Sequence, residues 1–262
     1  MLPSWFYYVF SFIFGASIGS FLNVCILRIP KKMSIVAPRS FCFSCKKQLP
    51  WYCNIPLLSF IFLRGKCKFC GEPFSIQYFI VELLTALLSL GTWCYFKEPI
   101  PYFLYFCLLI APLVVVSFID LAHKIIPDII SLPGILVGAI VHLVLSEESL
   151  KMSAITVILG ILVGGGTLYL VAMAYELLRK QEGLGGGDVK LAAMFGAFFG
   201  WKGVMLILLM SSMLGSIIGL IVILFSKRDF RFAIPYGPFL AAAAIIYLFF
   251  GENIIRWYLG LF

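Results

Sequence analysis

The sequence predicts an all-α polytopic membrane protein with about eight transmembrane helices and a small cytoplasmic insert between helices 1 and 2. Hydrophobic residues make up 62% of the chain and charged residues 12%, which does not suit a water-soluble domain of 262 residues. Apolar runs long enough to cross a bilayer recur along the chain. Basic residues gather in the short connections, so the net charge of +8 is explained by orientation and anionic headgroups, and we expect no nucleic-acid partner.

The predicted spans follow these apolar runs in chain order. The first run has no basic residue before it and no small-residue cleavage site, so we expect a retained span and not a signal peptide. The sixth run is too short to cross upright unless the glycine-rich turn before it enters the bilayer or residues 201–203 extend it. The spans are Trp5 to Leu27, Gln77 to Phe96, Tyr102 to Ile119, Ile129 to Leu145, Ala154 to Leu178, Val189 to Gly200, Val204 to Phe225 and Ala233 to Phe250.

Lysine and arginine divide unequally between alternate connections, sixteen on one side and four on the other. Because positive residues concentrate in cytoplasmic loops, the larger set lies in the cytoplasm and both termini face outward. One cytoplasmic connection is long enough to fold alone. The expected organisation is therefore a first span at 1–27, a cytoplasmic insert at 28–76, and a transmembrane bundle at 77–262.

Two cysteine pairs lie in the insert, Cys42-x-x-Cys45 and Cys67-x-x-Cys70, with twenty-one residues between them. Each pair turns tightly enough to place both thiolates on one ion, which indicates a tetrahedral zinc site. Two disulfides or free thiols are the alternatives, but a cytoplasmic loop is kept reduced. Four thiolates leave no open position for water, so the expected role is structural. Cys53 has no partner at ligand spacing and lies outside this site.

The stretch Gly183–Leu191 is a glycine-rich turn that brings Asp188 to the start of an apolar run, with Gly185 and Gly187 allowing close backbone approach. Asp120 ends the third span at the same predicted membrane edge. An ionisable group there is costly and is a functional candidate by default. Two sheltered aspartates can share one proton, so that one activates water as a base and the other protonates a peptide carbonyl. The titration belongs to the pair, and neither role is assigned.

Three further acidic residues can be explained by a structural role as well as by a functional one. Asp128 follows Pro127 at the start of the fourth run, where we expect a helix N-cap acceptor. Glu82 and Glu176 lie inside apolar runs, and two interpretations stay open for them: each faces a polar cavity, or each snorkels to the interface.

Taken together, these residues resemble the type IV prepilin peptidases, a family of bifunctional leader peptidases and N-methyltransferases with a Gly-x-Gly-Asp motif. The turn alone is typical of membrane aspartyl proteases in general, and the double cysteine motif makes the match specific. The resemblance runs through Gly19–Val24, Pro38–Ser40, Asn54–Ser59, Arg64–Cys67, Glu82–Leu84, Asp120 with Ile126–Asp128, and Gly185–Leu191.

The resemblance implies an enzyme of the bacterial cytoplasmic membrane. Such an enzyme cuts the basic leader of type IV prepilins or pseudopilins after a glycine at the cytoplasmic face, then methylates the new amino terminus with S-adenosylmethionine. By position, Asp120 and Asp188 look like the catalytic aspartates, and the four cysteines look like the metal site of the methyltransferase half. Asn23 and Glu82 are candidates for the methyl-donor site. Cys53 departs from the family, which commonly has an acid there.

Two rival functions remain at this stage. The Gly-x-Gly-Asp turn alone allows an aspartyl protease that cuts within transmembrane helices. Zinc knuckles with intramembrane acids allow a non-enzymatic transport or sensor protein. Cleavage of a prepilin-like peptide by the purified protein discriminates between them. The sequence leaves open which pilin system is served and the oligomeric state.

Overall fold

The computed structural model describes residues 3–42, 44–180, 185–226 and 234–260, and the elements of these ranges are helical apart from two isolated β-bridges. The chain forms two compact units, Met1–Val115 and Val116–Phe262. Seven helices of the described ranges are long and apolar enough to cross a membrane.

The first unit is built on two long antiparallel helices, α1 (Ser4–Arg28) and α3 (Gln77–Phe96). They approach closely where Gly15 and Gly19 of α1 face α3, because a Cβ on Gly19 would lie 2.8 Å from Glu82 Cα and one on Gly15 would meet Ser89 Cβ. Small residues four apart let membrane helices pack backbone to backbone. The insert between them contains a 3-10 helix (Trp51–Asn54) and a short α2 (Leu58–Phe62).

A continuous helical segment, Pro99–His123, follows α3. It consists of α4 (Pro99–Tyr105), a π-helical turn (Phe106–Ile110) and α5 (Ala111–His123). Pro99 suits the first helical position because its missing N–H would have no partner there. The segment matches the predicted third span and ends just after Asp120.

The second unit contains the end of α5 with α6 (Asp128–Leu145), α7 (Leu150–Arg179), α8 (Gly186–Ser226) and α9 (Gly237–Leu259). Helix α8 is interrupted at Gly200, which has φ 69° and ψ −178°. A Cβ on Gly164 of α7 would contact both Ala192 O and Val204 Cγ2. In a straight helix these positions, twelve residues apart, would be separated by about 18 Å. Helix α8 therefore folds back on itself at Gly200.

The two arms of α8 correspond to the predicted sixth and seventh spans, so the described ranges fit the predicted count of about eight helices. The first arm, residues 186–199, is about 21 Å long at 1.5 Å per residue, shorter than a hydrocarbon core of about 30 Å. At the break, Phe198 O pairs with His142 Nδ1 at 3.0 Å. Since a carbonyl only accepts, His142 carries its proton on Nδ1 and satisfies a helix-end carbonyl.

The segment between α5 and α6 packs against the starts of α8 and α9. A Cβ on Gly187, in the first turn of α8, would lie 2.8 Å from Ile126 Cβ, and one on Gly237, at the start of α9, would lie 3.3 Å from Ile126 Cδ1. Ile126 thus packs against both helix starts. This packing brings the end of α5 and the starts of α8 and α9 to one place.

Candidate functional site

Asp120 lies in the last turn of α5 and is only 5% exposed. Its Oδ2 accepts the backbone N–H of Gly237 at 2.9 Å. That N–H belongs to the first turn of α9, where amide groups have no partner within the helix and favour a negative charge. A Cβ on Gly237 would lie 2.8 Å from Oδ2, so the carboxyl group sits where only glycine leaves room.

Asp188 lies in the first turn of α8 and is 9% exposed. Its backbone N–H donates to Gly185 O at 3.1 Å, and a Cβ on Gly185 would be 3.4 Å from Asp188 Oδ2. Asp188 Oδ1 is buried and has no hydrogen-bond partner among the described residues. Buried polar atoms are nearly always paired, so an orphaned carboxylate oxygen marks a place where a reacting group can bind.

Contacts of the helix ends bring Asp120 and Asp188 near one another. Gly237, whose N–H binds Asp120, packs against Ile126, and Ile126 also packs against Gly187, the residue before Asp188. Both are buried at the ends of apolar helices within one unit. Like charges at close range cannot both ionise cheaply, so such a pair can hold one proton between its two members. The arrangement can therefore present a base and an acid to the same reactant.

A neighbouring ion pair joins the first arm of α8 to α6, with Lys190 Nζ 2.7 Å from Asp128 Oδ1. The two side chains are 37% and 57% exposed. Asp128 is the first residue of α6, its N-cap is Pro127, and no side chain caps the helix. The prediction that Asp128 is a capping acceptor is wrong, because α8 brings a lysine whose charge-assisted hydrogen bond the carboxylate takes instead.

Two residues next to the aspartates cannot be identified from the sequence: Gly237, whose N–H binds Asp120, and Ile126, which packs against Gly187 and Gly237. The available signal for Gly237 was a glycine between Tyr236 and Pro238 at the start of the last apolar run. For Ile126 the sequence offers only its place in the stretch Ile126–Asp128. Both residues act through contacts between helix ends that are far apart in the sequence. Local sequence patterns do not reveal such contacts.

The four cysteines of the two Cys-x-x-Cys pairs come together in two equivalent hairpins of the first unit. In the first, Cys42 N donates to Lys47 O and Lys46 N donates to Cys42 O. In the second, the bonds at positions twenty-five residues later are the same, Cys67 N to Glu72 O and Gly71 N to Cys67 O. Each hairpin also closes with one β-bridge, Phe41 to Gln48 and Lys66 to Pro73. The residue after each second cysteine has positive φ, 60° at Lys46 and 74° at Gly71, which turns the chain sharply enough for both sulfurs of a pair to converge.

The sulfur positions fit a tetrahedral metal ion. All four Sγ atoms lie within 4.8 Å of one another, and Cys42 Sγ is 3.8 Å from Cys70 Sγ. A tetrahedral zinc with Zn–S bonds of about 2.3 Å separates its sulfurs by about 3.8 Å. Backbone N–H groups, that of Cys45 foremost, lower the pKa of the Cys42 thiol to about 7, which favours the thiolate that metals bind. The cluster can therefore bind a metal, as the spacing predicted.

A cavity of about 120 Å³ lies between the insert, the C-terminal end of α1 and the N-terminal end of α3. Asn23 and Glu82 from the helices and Cys53 from the insert all line it. Asn23 Nδ2 donates to Tyr78 O at 3.0 Å. The sequence leaves open whether Glu82 and Glu176 face a polar cavity or the interface. Glu82 lines this cavity, whereas Glu176 of α7 is exposed.

Glu82 is 7% exposed and holds the insert against α3. Its Oε2 accepts the N–H of Leu57 at 2.7 Å, and the Ser20 side chain also hydrogen-bonds to this carboxyl group. Leu57 has φ 63°, a conformation that costs a non-glycine residue free energy unless its surroundings hold it. The hydrogen bond from Leu57 N–H to the buried carboxyl group of Glu82 stabilises this backbone conformation.

Comparison with known proteins agrees with the resemblance drawn from the sequence. Residues 13–96 match the family described as Bacterial Peptidase A24 N-terminal domain, and residues 107–220 match the Type IV leader peptidase family. No solved structure matches significantly.

Three curated relatives that match over almost their whole length bear the name prepilin leader peptidase/N-methyltransferase. One from Legionella pneumophila is 36% identical over 98% of this chain and 96% of its own. One from Aeromonas hydrophila is 37% identical over 97% and 94%, and one from Pseudomonas aeruginosa 35% identical over 94% and 91%. The chain therefore belongs to the family of prepilin leader peptidases/N-methyltransferases.

Proposed function

We propose that this protein cleaves the basic leader from type IV prepilins or pseudopilins after a glycine, at the cytoplasmic face of the bacterial inner membrane, and then methylates the new amino terminus. Family membership supports both activities. The observation that carries the peptidase half is the burial of Asp120 and Asp188 together at helix ends, with one carboxylate oxygen unpaired among the described residues. Zinc-binding transport or sensing would not require such a pair.

In the proposed cleavage, one aspartate is ionised and the other protonated. The ionised carboxylate takes a proton from a water molecule, whose oxygen attacks the carbonyl carbon of the glycine that precedes the scissile bond. The protonated carboxyl donates to the carbonyl oxygen, and the amine leaves with a proton when the tetrahedral intermediate collapses. The N–H of Gly237 holds the carboxyl group of Asp120 in place before the substrate binds. A site at the ends of the helices suits a substrate whose apolar stem stays in the bilayer, and it favours this cleavage over cutting inside a transmembrane helix.

The proposal requires the insert and both aspartates to face the cytoplasm. Protease sites introduced after Lys47 and after Glu148 test this orientation in sealed vesicles of known sidedness. We expect protease on the cytoplasmic side to cut after Lys47 and external protease to cut after Glu148. Cutting after Glu148 from the cytoplasmic side would show that the topology is the reverse of the one proposed, and it would contradict the proposal.

The insert belongs to the methylation half of the proposal, with zinc held by Cys42, Cys45, Cys67 and Cys70 in a structural role. A closed four-thiolate site supplies folding free energy to a segment too small for a sufficient core of its own. The methyl donor, S-adenosylmethionine, supplies an electrophilic methyl group when bound. We propose that the cavity lined by Asn23 and Glu82 is where the donor and the amino terminus of the substrate meet.

Glu82 is the residue of this cavity best suited to receive the amine. A buried carboxylate attracts the amino terminus as an ammonium ion and can accept its proton, which leaves the nitrogen lone pair free for transfer. The oxygens of Glu82 already take one backbone N–H and one hydroxyl, and this fixes the carboxylate in the cavity wall. Cys53 lines the same cavity, and its thiol cannot serve as a second carboxylate there.

Glu82→Gln tests this role because glutamine keeps an oxygen for Leu57 N–H and loses only the charge. We expect the methylation rate to fall tenfold or more, in line with the loss of general-base assistance, and its dependence on pH to change. Zinc content and leader cleavage should stay at wild-type levels. Glu176→Gln, on an exposed face of α7, is the matched control. Wild-type methylation by Glu82→Gln, with loss only in Glu82→Ala, would reduce Glu82 to a structural hydrogen-bond acceptor.

A further inference from the structure

The insert exposes a set of large apolar side chains that its small core does not use. They come from the 3-10 helix, the turn after it and α2, they are each between 38% and 80% exposed, and they form what we call the interfacial face: Trp51, Ile55, Leu58, Ile61 and Phe62. The opposite side of α2 lines the cavity with Ser59, Phe60 and Leu63. Helix α2 is therefore amphipathic, with its apolar outer side uncovered by any described residue of the first unit.

Contacts with α3 fix the depth at which this face lies. Leu57 N, immediately before α2, is bound by Glu82, and the Phe60 ring packs against the Phe79 ring with centroids 5.5 Å apart. Glu82 is the sixth residue of α3, which begins at Gln77. At 1.5 Å per residue, Glu82 lies about 7.5 Å inside the start of a membrane span.

We propose that the interfacial face inserts into the bilayer beside α3 and anchors the insert to the membrane surface. Amphipathic helices that lie in the membrane plane bury their apolar side about 5–10 Å into the boundary between headgroups and acyl chains, the depth at which Glu82 holds α2. Helix α3 itself also exposes large apolar side chains near its start, Ile80 and Leu84. Trp51 has the amphipathic ring that is enriched at this boundary.

Charge in the chain that follows α2 fits the same partner. Arg64, Lys66 and Lys68 come directly after α2, and no acidic residue lies between Leu57 and Lys68. Basic residues at the edge of an apolar face are attracted to anionic headgroups. The anchor would keep the cavity and its Glu82 at the membrane surface, where the amino terminus of an apolar substrate stem emerges. The inference goes beyond the proposed activities and depends only on α3 being a membrane span.

Quenching of Trp51 fluorescence by brominated lipid tests the anchor in the intact protein. The protein is reconstituted in vesicles of phosphatidylcholine and phosphatidylglycerol, with phosphatidylcholine brominated near the glycerol end of its acyl chains. The signal of Trp51 is the difference between wild type and Trp51→Phe. The control is Lys47→Trp in the Trp51→Phe background, because Lys47 is exposed on the first cysteine hairpin. Zinc content verifies that each variant is folded.

We expect Trp51 to be quenched at least about twofold more than the tryptophan at position 47, as a ring among acyl chains requires. Phe62→Trp in the same background probes the other end of the face and should be quenched as strongly. Quenching equal to that of the control at both positions would overturn the proposal. So would a face that is unquenched in lipid and becomes shielded only when an apolar prepilin stem is added, because the occupant would then be the substrate.

Discussion

Replacing Gly237 with alanine tests the geometry of the aspartate pair without removing a carboxyl group. The new Cβ would lie 2.8 Å from Asp120 Oδ2 and 3.3 Å from Asp120 Cγ. The first distance is 0.6 Å short of the 3.4 Å at which ordinary contact begins. Either the carboxyl group or the start of α9 must move by about that amount, and the 2.9 Å hydrogen bond from Gly237 N then lengthens.

The magnitude follows from how steeply catalysis depends on position. A misplacement of about 1 Å can cost a hundredfold in rate, so a shift of about 0.6 Å is expected to lower kcat by about ten- to a hundredfold, or about 1.4 to 2.8 kcal/mol of barrier. KM should change little, because Gly237 is bonded to the catalytic carboxyl and is not proposed to contact the substrate. The assay is the initial rate of prepilin leader cleavage in membranes at several substrate concentrations.

Gly166→Ala is the matched control, since a Cβ at Gly166 in α7 would meet no side chain or neighbouring helix of the described residues within 4 Å. We expect that variant to cleave at the wild-type rate. If Gly237→Ala also cleaves within threefold of wild type while its expression is normal, the close approach of Gly237 does not position Asp120 and the reasoning fails.

Three further substitutions have expected outcomes. Cys67→Ser should lower bound zinc and amino-terminal methylation much more than leader cleavage, measured by metal analysis and mass spectrometry of the processed pilin; full zinc occupancy would contradict the four-cysteine site, and equal loss of both activities would place the insert in the peptidase. Lys190→Met should lower the free energy of unfolding by less than about 1 kcal/mol, because its ion pair with Asp128 is exposed; a loss of several kcal/mol in denaturant unfolding would contradict this. Gly200→Ala should cost about 1–3 kcal/mol of stability, because its φ of 69° and ψ of −178° suit only glycine and its Cβ would lie 2.6 Å from Thr156 Cγ2; an unchanged melting temperature would argue against the break in α8.

The membrane fold could be predicted because hydrocarbon imposes a simple rule on sequence. A helix must bring about 20 apolar residues to cross, and basic residues mark one side. The short sixth run was recognised as anomalous from its length, but its fold-back at Gly200 was not. A single glycine in an apolar run has many possible uses, and only packing of Gly164 against Ala192 and Val204 reveals the turn.

For the metal site and the acidic residues, local features could be predicted from the sequence and tertiary contacts could not. The Cys-x-x-Cys spacing is a local constraint, so all four cysteines could be named in advance and are found together. Asp120 and Asp188 could be paired because they were placed at the same membrane edge. Gly237, whose N–H binds Asp120 across 117 positions of the chain, could not be found, because that contact comes from tertiary packing. Asp128 shows the same limit, since its partner Lys190 arrives from another helix.

The central claim is that Asp120 and Asp188 act as one catalytic pair, and replacing each with asparagine tests it most directly. Asparagine keeps the size of the side chain and can still accept the N–H of Gly237, but it cannot exchange a proton with water or peptide. The measurement is leader cleavage of a prepilin in membranes, with the amount of inserted enzyme and its bound zinc determined for each variant. The account predicts that Asp120→Asn and Asp188→Asn each insert normally, keep their zinc and lose cleavage. Substantial cleavage by either variant would contradict it.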